Sequence, residues 1–352
     1  MSGFVSARGG RLTLRRLVVV VSVCAGICAV VAVLAPLLGV SVGRGGRSLE
    51  LMGLEALDAG TPSHAIFAVR LPRVLASLLI GGALAGAGCA LQALLRNPLA
   101  EPFTLGISSG SSLAAVLAIR LGVEDAFGGA GVGLAALMGA VGTLVLVERL
   151  ARVGRQLPPA TLVLAGVTIS MFCSSASVLV QYTSDFAEVS HMLAWMMGGL
   201  DAVRLGATEY AALPIVGGLF VLCLYGRDLN ALAAGPEVAA SLGVSVVRTQ
   251  TIVFAIASLL VGSAIALGGP IGFIGLIVPH ALRSVIGPDH RLLLPASIFG
   301  GAVLLTVCDT LARTLIAPAH LPTGAVTAVL GGPFFVAILV RQKSRAALWS
   351  RA

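Results

Sequence analysis

A single lysine, Lys343, stands among 352 residues. A loop that cradles nucleotide phosphates needs a lysine behind a glycine-rich turn, and no such turn precedes Lys343, so the chain has no means of its own to hydrolyse ATP in that way. Charge is scarce at 11% and aromatic residues at 5%, whereas 57% of the residues are hydrophobic and the mean hydropathy is +1.02. A water-soluble surface needs far more polar side chains, which excludes an ordinary soluble domain. Six cysteines (Cys24, Cys28, Cys89, Cys173, Cys223, Cys308) lie scattered in apolar stretches. Without CxxC spacing they suggest neither a disulfide framework nor a zinc site, and they read as small buried hydrophobes. No nucleophile with a base, no paired carboxylates and no metal-ligand cluster is legible, so neither an enzyme nor a bound cofactor or metal is expected. The net charge of +8 is spread between apolar segments rather than gathered in a patch, which argues against nucleic acid as a partner.

What is abundant is apolar length and glycine. Arg70-Leu71-Pro72-Arg73 leads into Val74 to Leu95, an uncharged run that ends in Arg96-Asn97-Pro98-Leu99-Ala100-Glu101-Pro102. At 1.5 Å per residue such a run crosses a hydrocarbon core of roughly 30 Å, so the surrounding medium is membrane lipid. The 44 glycines suit helices packed closely through small faces, with Gly82 and Gly86 as candidates. Spans are expected near 17–40, 71–95, 103–121, 128–148, 159–181, 207–226, 249–268, 273–287, 292–314 and 322–340. The first is too long, and lacks the cleavage site, to be a signal peptide. Ten crossings place both termini in the cytosol, and 16 of the 23 Lys and Arg residues then fall inside, leaving Arg44, Arg47, Arg70, Arg73, Arg120, Arg204 and Arg313 outside. The expected organisation is a basic cytosolic N-terminus (1–16), one polytopic all-α membrane domain (17–340) and a basic cytosolic tail (341–352).

Two stretches do not read as spans. Residues 183–201 are mixed and predict an external surface helix. Residues 227–248 form a polar-punctuated cytosolic segment in which Gly235-Pro236 starts a short helix and Gly243 ends it. An internal repeat is also visible: Leu75-Ala76-Ser77-Leu78-Leu79-Ile80-Gly81 matches Ile256-Ala257-Ser258-Leu259-Leu260-Val261-Gly262, and the same offset of 181 aligns Ala83 with Ala264, Gly88 with Gly269 and Pro98 with Pro279. The copies run in opposite directions, giving the inverted repeats common in transporters. Smaller features include Asp309 and Arg313, spaced to pair at an outer span end. His280 is expected to bond a nearby carbonyl, for example the one that Pro279 frees at Gly275.

Six motifs in order carry a resemblance. Arg70-Leu71-Pro72-Arg73; Asn97-Pro98-Leu99-Ala100-Glu101-Pro102 with Leu105-Gly106-Ile107-Ser108-Ser109-Gly110; Leu229-Asn230 with Ser241-Leu242-Gly243-Val244; Gly269-Pro270-Ile271-Gly272-Phe273-Ile274-Gly275-Leu276-Ile277-Val278-Pro279-His280; Gly287-Pro288-Asp289-His290-Arg291; and Leu321-Pro322-Thr323-Gly324 with Gly332-Pro333-Phe334-Phe335 are similar to the permease subunits of iron-siderophore, haem and cobalamin ABC importers. The similarity runs from about residue 70 to 340. It implies a ten-helix subunit paired with a second copy or a relative, two cytosolic ATP-binding subunits that use the ATP, and an extracytoplasmic substrate-binding protein. Ferric siderophore is the cargo that the resemblance favours.

By position, the resemblance makes Arg70, Arg73 and Arg313 outward-facing cations that dock the binding protein, as rim charges guide encounter and orientation. It makes 229–244 the coupling helices that engage the ATPases, with Leu229, Asn230, Gly235, Glu237, Ser241, Leu242 and Gly243 as contacts. The cytosolic gate becomes Pro158, Pro159, Ala160 and Thr161; Pro159 and Ala160 replace hydroxyl-bearing positions of the cobalamin importer. Gly166, Thr168, Ser170, Thr323 and Gly324 become the lining of a weakly polar pathway. His320 stands where relatives carry Glu. A rival class, an ion-coupled carrier, is equally allowed by inverted repeats, but such carriers place ionisable residues at mid-membrane.

Overall fold

The computed structural model describes residues 14–43, 46–51, 61–124, 126–154, 157–201, 203, 205–317 and 319–349. Most of the basic N-terminus expected at 1–16, together with Arg44, Arg155, Arg204 and the end of the tail, lies outside the described residues. Seven helices are long and apolar enough to cross a membrane, and three shorter apolar helices accompany them. Together they occupy the ten expected places: α1 (Leu14–Leu37), α2 (Pro62–Leu94), α3 (Ile107–Arg120), α5 (Gly131–Ala151), α6 (Pro159–Tyr182), α8 (Leu205–Leu224), α11 (Val246–Gly268), α12 (Ile274–Ile286), α13 (His290–Thr314) and α14 (Thr323–Trp349). Four short helices connect them: α4 (Ala126–Gly129), α7 (Phe186–Met196), α9 (Gly226–Ala234) and α10 (Pro236–Ser241).

Four boundaries differ most from the sequence reading, one of them at the end of the last span, where α14 continues to Trp349 through residues expected to form the tail. The first span stops at Leu37, and residues expected to finish it enter a two-stranded antiparallel ribbon, β1 (Leu38–Gly43) with β2 (Gly46–Leu51), in which Val40 faces Leu49. Pro36 removes a donor at the end of the helix, and the alternation of Gly39, Val40, Ser41 and Val42 suits a strand. The second span starts earlier: Thr61 caps α2, accepting from the His64 amide, and the helix runs through Pro72 for 33 residues, about 50 Å. The third opens with a 3-10 turn (Pro102–Leu105), because Gly106 at φ +81 breaks the helix before α3.

The repeat is legible in the order of lengths. A long helix, a short one and two long ones (α2, α3, α5, α6) recur as α11, α12, α13, α14. The residue-level match holds only along the first helix of each half. Gly269 already ends α11 where Gly88 lies within α2, and Pro98 falls in a loop where Pro279 lies inside α12.

Close helix packing rests on backbone approach. A Cβ on Gly81 would lie 2.2 Å from the Gly301 carbonyl oxygen, and one on Gly301 would lie 2.2 Å from that of Gly81, so α2 and α13 cross in direct contact. A Cβ on Gly88 would meet the Gly275 oxygen at 2.2 Å, which seats α12 on α2. Gly82 and Gly86 face the side chains of Ile298 and Leu219 instead. The buried core is accordingly rich in alanine along α2, while large apolar side chains such as Leu164, Met171, Leu213 and Val329 face outward, as lipid solvation permits.

The two ends of the bundle can be told apart. Arg16 donates to the Ile286 carbonyl and Arg313 to that of Ala35, so α1 runs parallel to α13. One end holds Arg73, Asp201, Asp309, Arg313 and the start of α14. The other holds Arg16, the α12–α13 turn and the α9–α10 pair.

Candidate functional site

At the first end, one carboxylate organises the cations. Asp309 is 1% exposed and accepts from Arg73 Nε at 2.8 and 2.9 Å and from Thr323 Oγ1 at 2.9 Å, with Arg313 Nε at 3.4 Å. The expected Asp309 and Arg313 pair is present. Arg73 also pairs with Asp201, which is half exposed, and the Arg73 Nη2 has no partner among the described residues. Arg70 is half buried and donates to the Leu38 carbonyl at 3.0 Å. Arg73 and Arg313, expected as outward-facing cations, are each 8% exposed. The correction has a plain cause: a guanidinium inside a helix bundle needs a counter-ion, and Asp309 supplies it where three helices meet.

Above this cluster the backbone of three elements converges. The Gly199 amide donates to the Gly268 carbonyl and the Gly324 amide to that of Gly198, each at 3.0 Å. A Cβ on Gly324 would lie 2.4 Å from the Met197 oxygen. Thr323 and Gly324 are thus packed inside the subunit and do not line an open surface.

The α6 residues divide similarly. Gly166 is buried and its carbonyl oxygen faces Gly106, where a Cβ would sit 2.8 Å away; Ser170 turns to the same side. Thr168 is exposed and its hydroxyl is satisfied by the Leu164 carbonyl at 2.9 Å. The outward face of α6 carries Leu164, Met171, Phe172, Val178 and Leu179, so it is bulkier and more apolar than the small, weakly polar lining expected. At the start of α6, Pro158 is the N-cap and Pro159 the first helical residue. Thr161 Oγ1 donates to the Ala151 carbonyl at 2.8 Å, stapling α5 to α6, and Ala160 is exposed.

At the opposite end, the capped helix expected between Gly235 and Gly243 is α10. Gly235 turns at φ +126 and Gly243 at φ +82. The Val244 amide donates to the Ala239 carbonyl and the Gly243 amide to that of Ala240, both at 3.0 Å, the paired bonds of a Schellman cap. Ala231, Leu232 and Ala239 join α10 to α9, with Val244 and Val246 packed on them. Glu237, Val238, Ser241, Leu242 and Gly243 are exposed. Leu229 is fully buried and Asn230 points inward, so these two belong to the anchor of the segment rather than to its outer face.

The anchor is polar and compact. Asn230 Nδ2 donates to Asp289 Oδ1 at 2.7 Å, and Asn230 Oδ1 accepts from the His290 amide and from its Nδ1, each at 2.8 Å. Arg291 Nη2 donates to Asp289 Oδ2 at 2.6 Å. These donors hold the Asp289 carboxyl down at about 2, with the Arg291 hydrogen bond the largest cause.

Between the ends, Glu101 Oε1 accepts from the Phe273 amide, and Phe273 adopts a left-handed φ of +70 at the start of α12. The Gly275 carbonyl freed by Pro279 is taken by Gln92 Nε2 at 3.2 Å, and Gln92 Oε1 accepts from Arg283 at 2.8 Å. His280 therefore does not use it; its ring meets Phe334 edge-on at 6.3 Å. The sequence reading missed Asp201 and the partners of Asn230, because only tertiary structure brings them together; Glu101, Asp289 and His290 stood in quoted motifs without a role. At the same end as the Arg73 cluster, α7 forms in the stretch expected to be a surface helix, capped by Asp185, with Arg120 pairing to Glu188 at 3.0 Å. Among the described residues no group of three or more metal-ligating side chains exists.

Ten apolar helices in inverted halves, tied polar ends and one uncovered helix pair define a multi-pass transport permease. The chain belongs to the FecCD transport family, whose model matches residues 28–341. It is 38% identical over 284 residues to the hemin transport system permease protein HmuU of Yersinia pestis, covering 80% of this chain and 85% of that one. It is 40% identical over 282 residues to the vitamin B12 import system permease protein BtuC of Klebsiella pneumoniae, covering 80% and 83%. A solved metal-chelate type ABC transporter in an inward-facing conformation superposes with a TM-score of 0.78 at 30% identity, over 92% of this chain and 99% of that one. The chain is therefore a permease subunit of an ABC importer, a multi-pass protein of the cytoplasmic membrane rather than an enzyme, and it works with ATPase and substrate-binding partners.

Proposed function

We propose that this permease translocates a metal chelate, specifically a ferric siderophore, as one of two permease subunits above two ATPase subunits and below one substrate-binding protein, with both termini cytosolic. ATP is used by the partner subunits and no cofactor is bound by this chain. The observation that carries the coupling part of the reading is α10, a helix capped at both ends whose Glu237, Val238, Ser241 and Leu242 no described element covers. A rigid exposed helix on a buried anchor is a docking element. The relatives named for hemin and vitamin B12 support a large metal-bearing cargo. The outward face of α6, apolar apart from hydroxyls that bond to their own helix, suits a cargo that slides without being held.

The binding protein is assigned to the end that carries Arg70 and the Arg73, Asp309 and Arg313 cluster. Arg70 and the exposed side of Asp201 are placed to meet it, and the buried pair supports them from beneath. The gate is assigned to Pro158, Pro159, Ala160 and Thr161, where two prolines stiffen the entry to α6. Uptake into proteoliposomes tests the whole reading. Radio-iron siderophore should enter only with ATPase, binding protein and ATP present; entry of hemin or cobalamin alone would reassign the cargo, and uptake by the chain alone under a proton gradient would refute the class of mechanism.

A further inference from the structure

α13 has its two ends in the two polar clusters. At one end Asp309 ties it to Arg73 of α2 and Thr323 of α14, and Arg313 ties it to the Ala35 carbonyl of α1. At the other, His290 and Asp289 hold Asn230 of α9. Twenty-five residues separate these ends by about 37 Å. The approach of α9 is also steric: a Cβ on Gly226 would lie 3.3 Å from the Arg291 Cα. α10 in turn rides on α9 through Ala231, Leu232 and Ala239.

We propose that Asn230 is a positioning residue, the strut by which α13 carries the state of the outer cluster to the α9–α10 pair. The proposal rests on the reading of α10 as the ATPase dock. Its amide is the right group for the task, because one side chain must donate to the Asp289 carboxylate and accept from the His290 amide and ring at once. All of these bonds are made, at 2.7 to 2.8 Å. Aspartate at 230 could accept but not donate, and would set two carboxylates against each other. Leu229 beside it is buried and supplies adhesion without direction; the amide fixes the rotation of α9 about its own axis.

The geometry also supplies its own rescue. In Asn230→Asp combined with Asp289→Asn, the donor and acceptor exchange places: residue 289 donates, residue 230 still accepts from His290, and asparagine at 289 remains a good N-cap for α13. Two measurements follow, on the detergent-purified chain and on the complete importer. Amide exchange in α9 should quicken in Asn230→Asp and return toward the original rate in the double variant. The fold-stimulation of ATP hydrolysis by the binding protein should fall at least threefold in Asn230→Asp and recover to within twofold in the double variant.

An unchanged stimulation in Asn230→Asp overturns the proposal, and so does a double variant that stays as low as Asn230→Asp while Asp289→Asn alone, which gives up the same Arg291 pair, keeps its stimulation. The docking reading has a separate readout: a cysteine introduced by Ser241→Cys should cross-link to the ATPase subunit. Absence of that cross-link overturns the docking reading and the proposal with it, whereas a cross-link that forms alongside an unchanged stimulation overturns the proposal alone.

Discussion

Replacing Asp309 by alanine removes the one carboxylate that Arg73 and Arg313 share. In the structure Asp309 is 1% exposed and each arginine 8%, so neither cation can turn to water when its partner goes. Arg73 keeps Asp201, which is half exposed and holds it from one side only, while Arg313 keeps a carbonyl and a threonine hydroxyl. Breaking a buried pair by deleting one partner costs about 3–5 kcal/mol, because the charge left behind has no compensation. The lost Thr323 bond adds about 1 kcal/mol. The assay is unfolding of the purified chain by titrating denaturing detergent into mild micelles, read by helical circular dichroism and by tryptophan fluorescence. The sharper comparison is the triple variant Asp309→Leu, Arg73→Met, Arg313→Met, which removes the charges together and should recover most of the loss, since an apolar replacement of a buried ion pair is often neutral. If Asp309→Ala destabilises by less than about 1 kcal/mol, the cluster does not hold α2, α13 and α14 together and the account of this end is wrong.

Gly88→Ala should fail to yield a stable fold, because its Cβ would lie 2.2 Å from a backbone oxygen of α12, whereas Gly142→Ala, with open space around it, should raise stability by up to about 1 kcal/mol; thermal aggregation of the purified proteins compares the two. Gly243→Pro should lower the binding protein's stimulation of ATP hydrolysis severalfold by breaking the Schellman cap of α10, and full uptake would count against the docking assignment. Charge reversal at Arg70 should weaken the response of ATP hydrolysis to loaded binding protein, most clearly at low salt; an unchanged response removes its role in docking. Because the Asp289 carboxyl is held at about 2 in the folded chain against 3.8 ordinarily, its contribution is complete above about pH 4 and is lost as pH falls toward 2, so exchange protection of α9, compared at equal intrinsic rates, should fall between about pH 4 and 2, and that fall should be absent in Asp289→Asn.

The ten spans were legible because lipid imposes a length and an apolar composition that few sequences meet by accident. The capped helix between Gly235 and Gly243 was legible for an equally local reason, as proline opens and glycine closes a helix through backbone geometry alone. What the sequence withheld was partnership. Arg73 and Arg313 look like rim cations in one dimension, because the aspartate that buries them lies 236 residues from the first. Gly166, Thr323 and Gly324 look like a smooth lining, because smallness serves close packing and a passage equally, and only the Gly106, Met197 and Asp309 contacts decide between them. The left-handed Phe273 had no sequence signature at all; a bulky residue occupies a glycine-like conformation there while Glu101 receives its amide.

These partnerships follow from what a membrane removes from the energetics of folding. In water, burying Leu164 or Met171 would drive association, but here such side chains remain outside at little cost because lipid tails solvate them. Helix-to-helix preference must then come from approach close enough for dispersion, which the paired glycines 81 and 301 permit, and from polar groups that lipid cannot satisfy. That explains why the polar ties sit where several helices must be held in one arrangement: Asp309 among α2, α13 and α14, Gln92 between α2 and α12, Asn230 between α9 and α13. It also explains why the same residues suit a transporter. A glycine contact tolerates small sliding, whereas a hydrogen-bonded tie is either made or broken, so rearrangement of the bundle should pivot on the ties and slip along the glycines. Spin labels flanking the Gly81 and Gly301 crossing should then report a shift of an ångström or two between nucleotide-free and ATP-bound importer, and labels flanking Asn230 and Asp289 none. The reverse pattern would mean that the polar ties are the moving parts and the glycine seam the fixed frame.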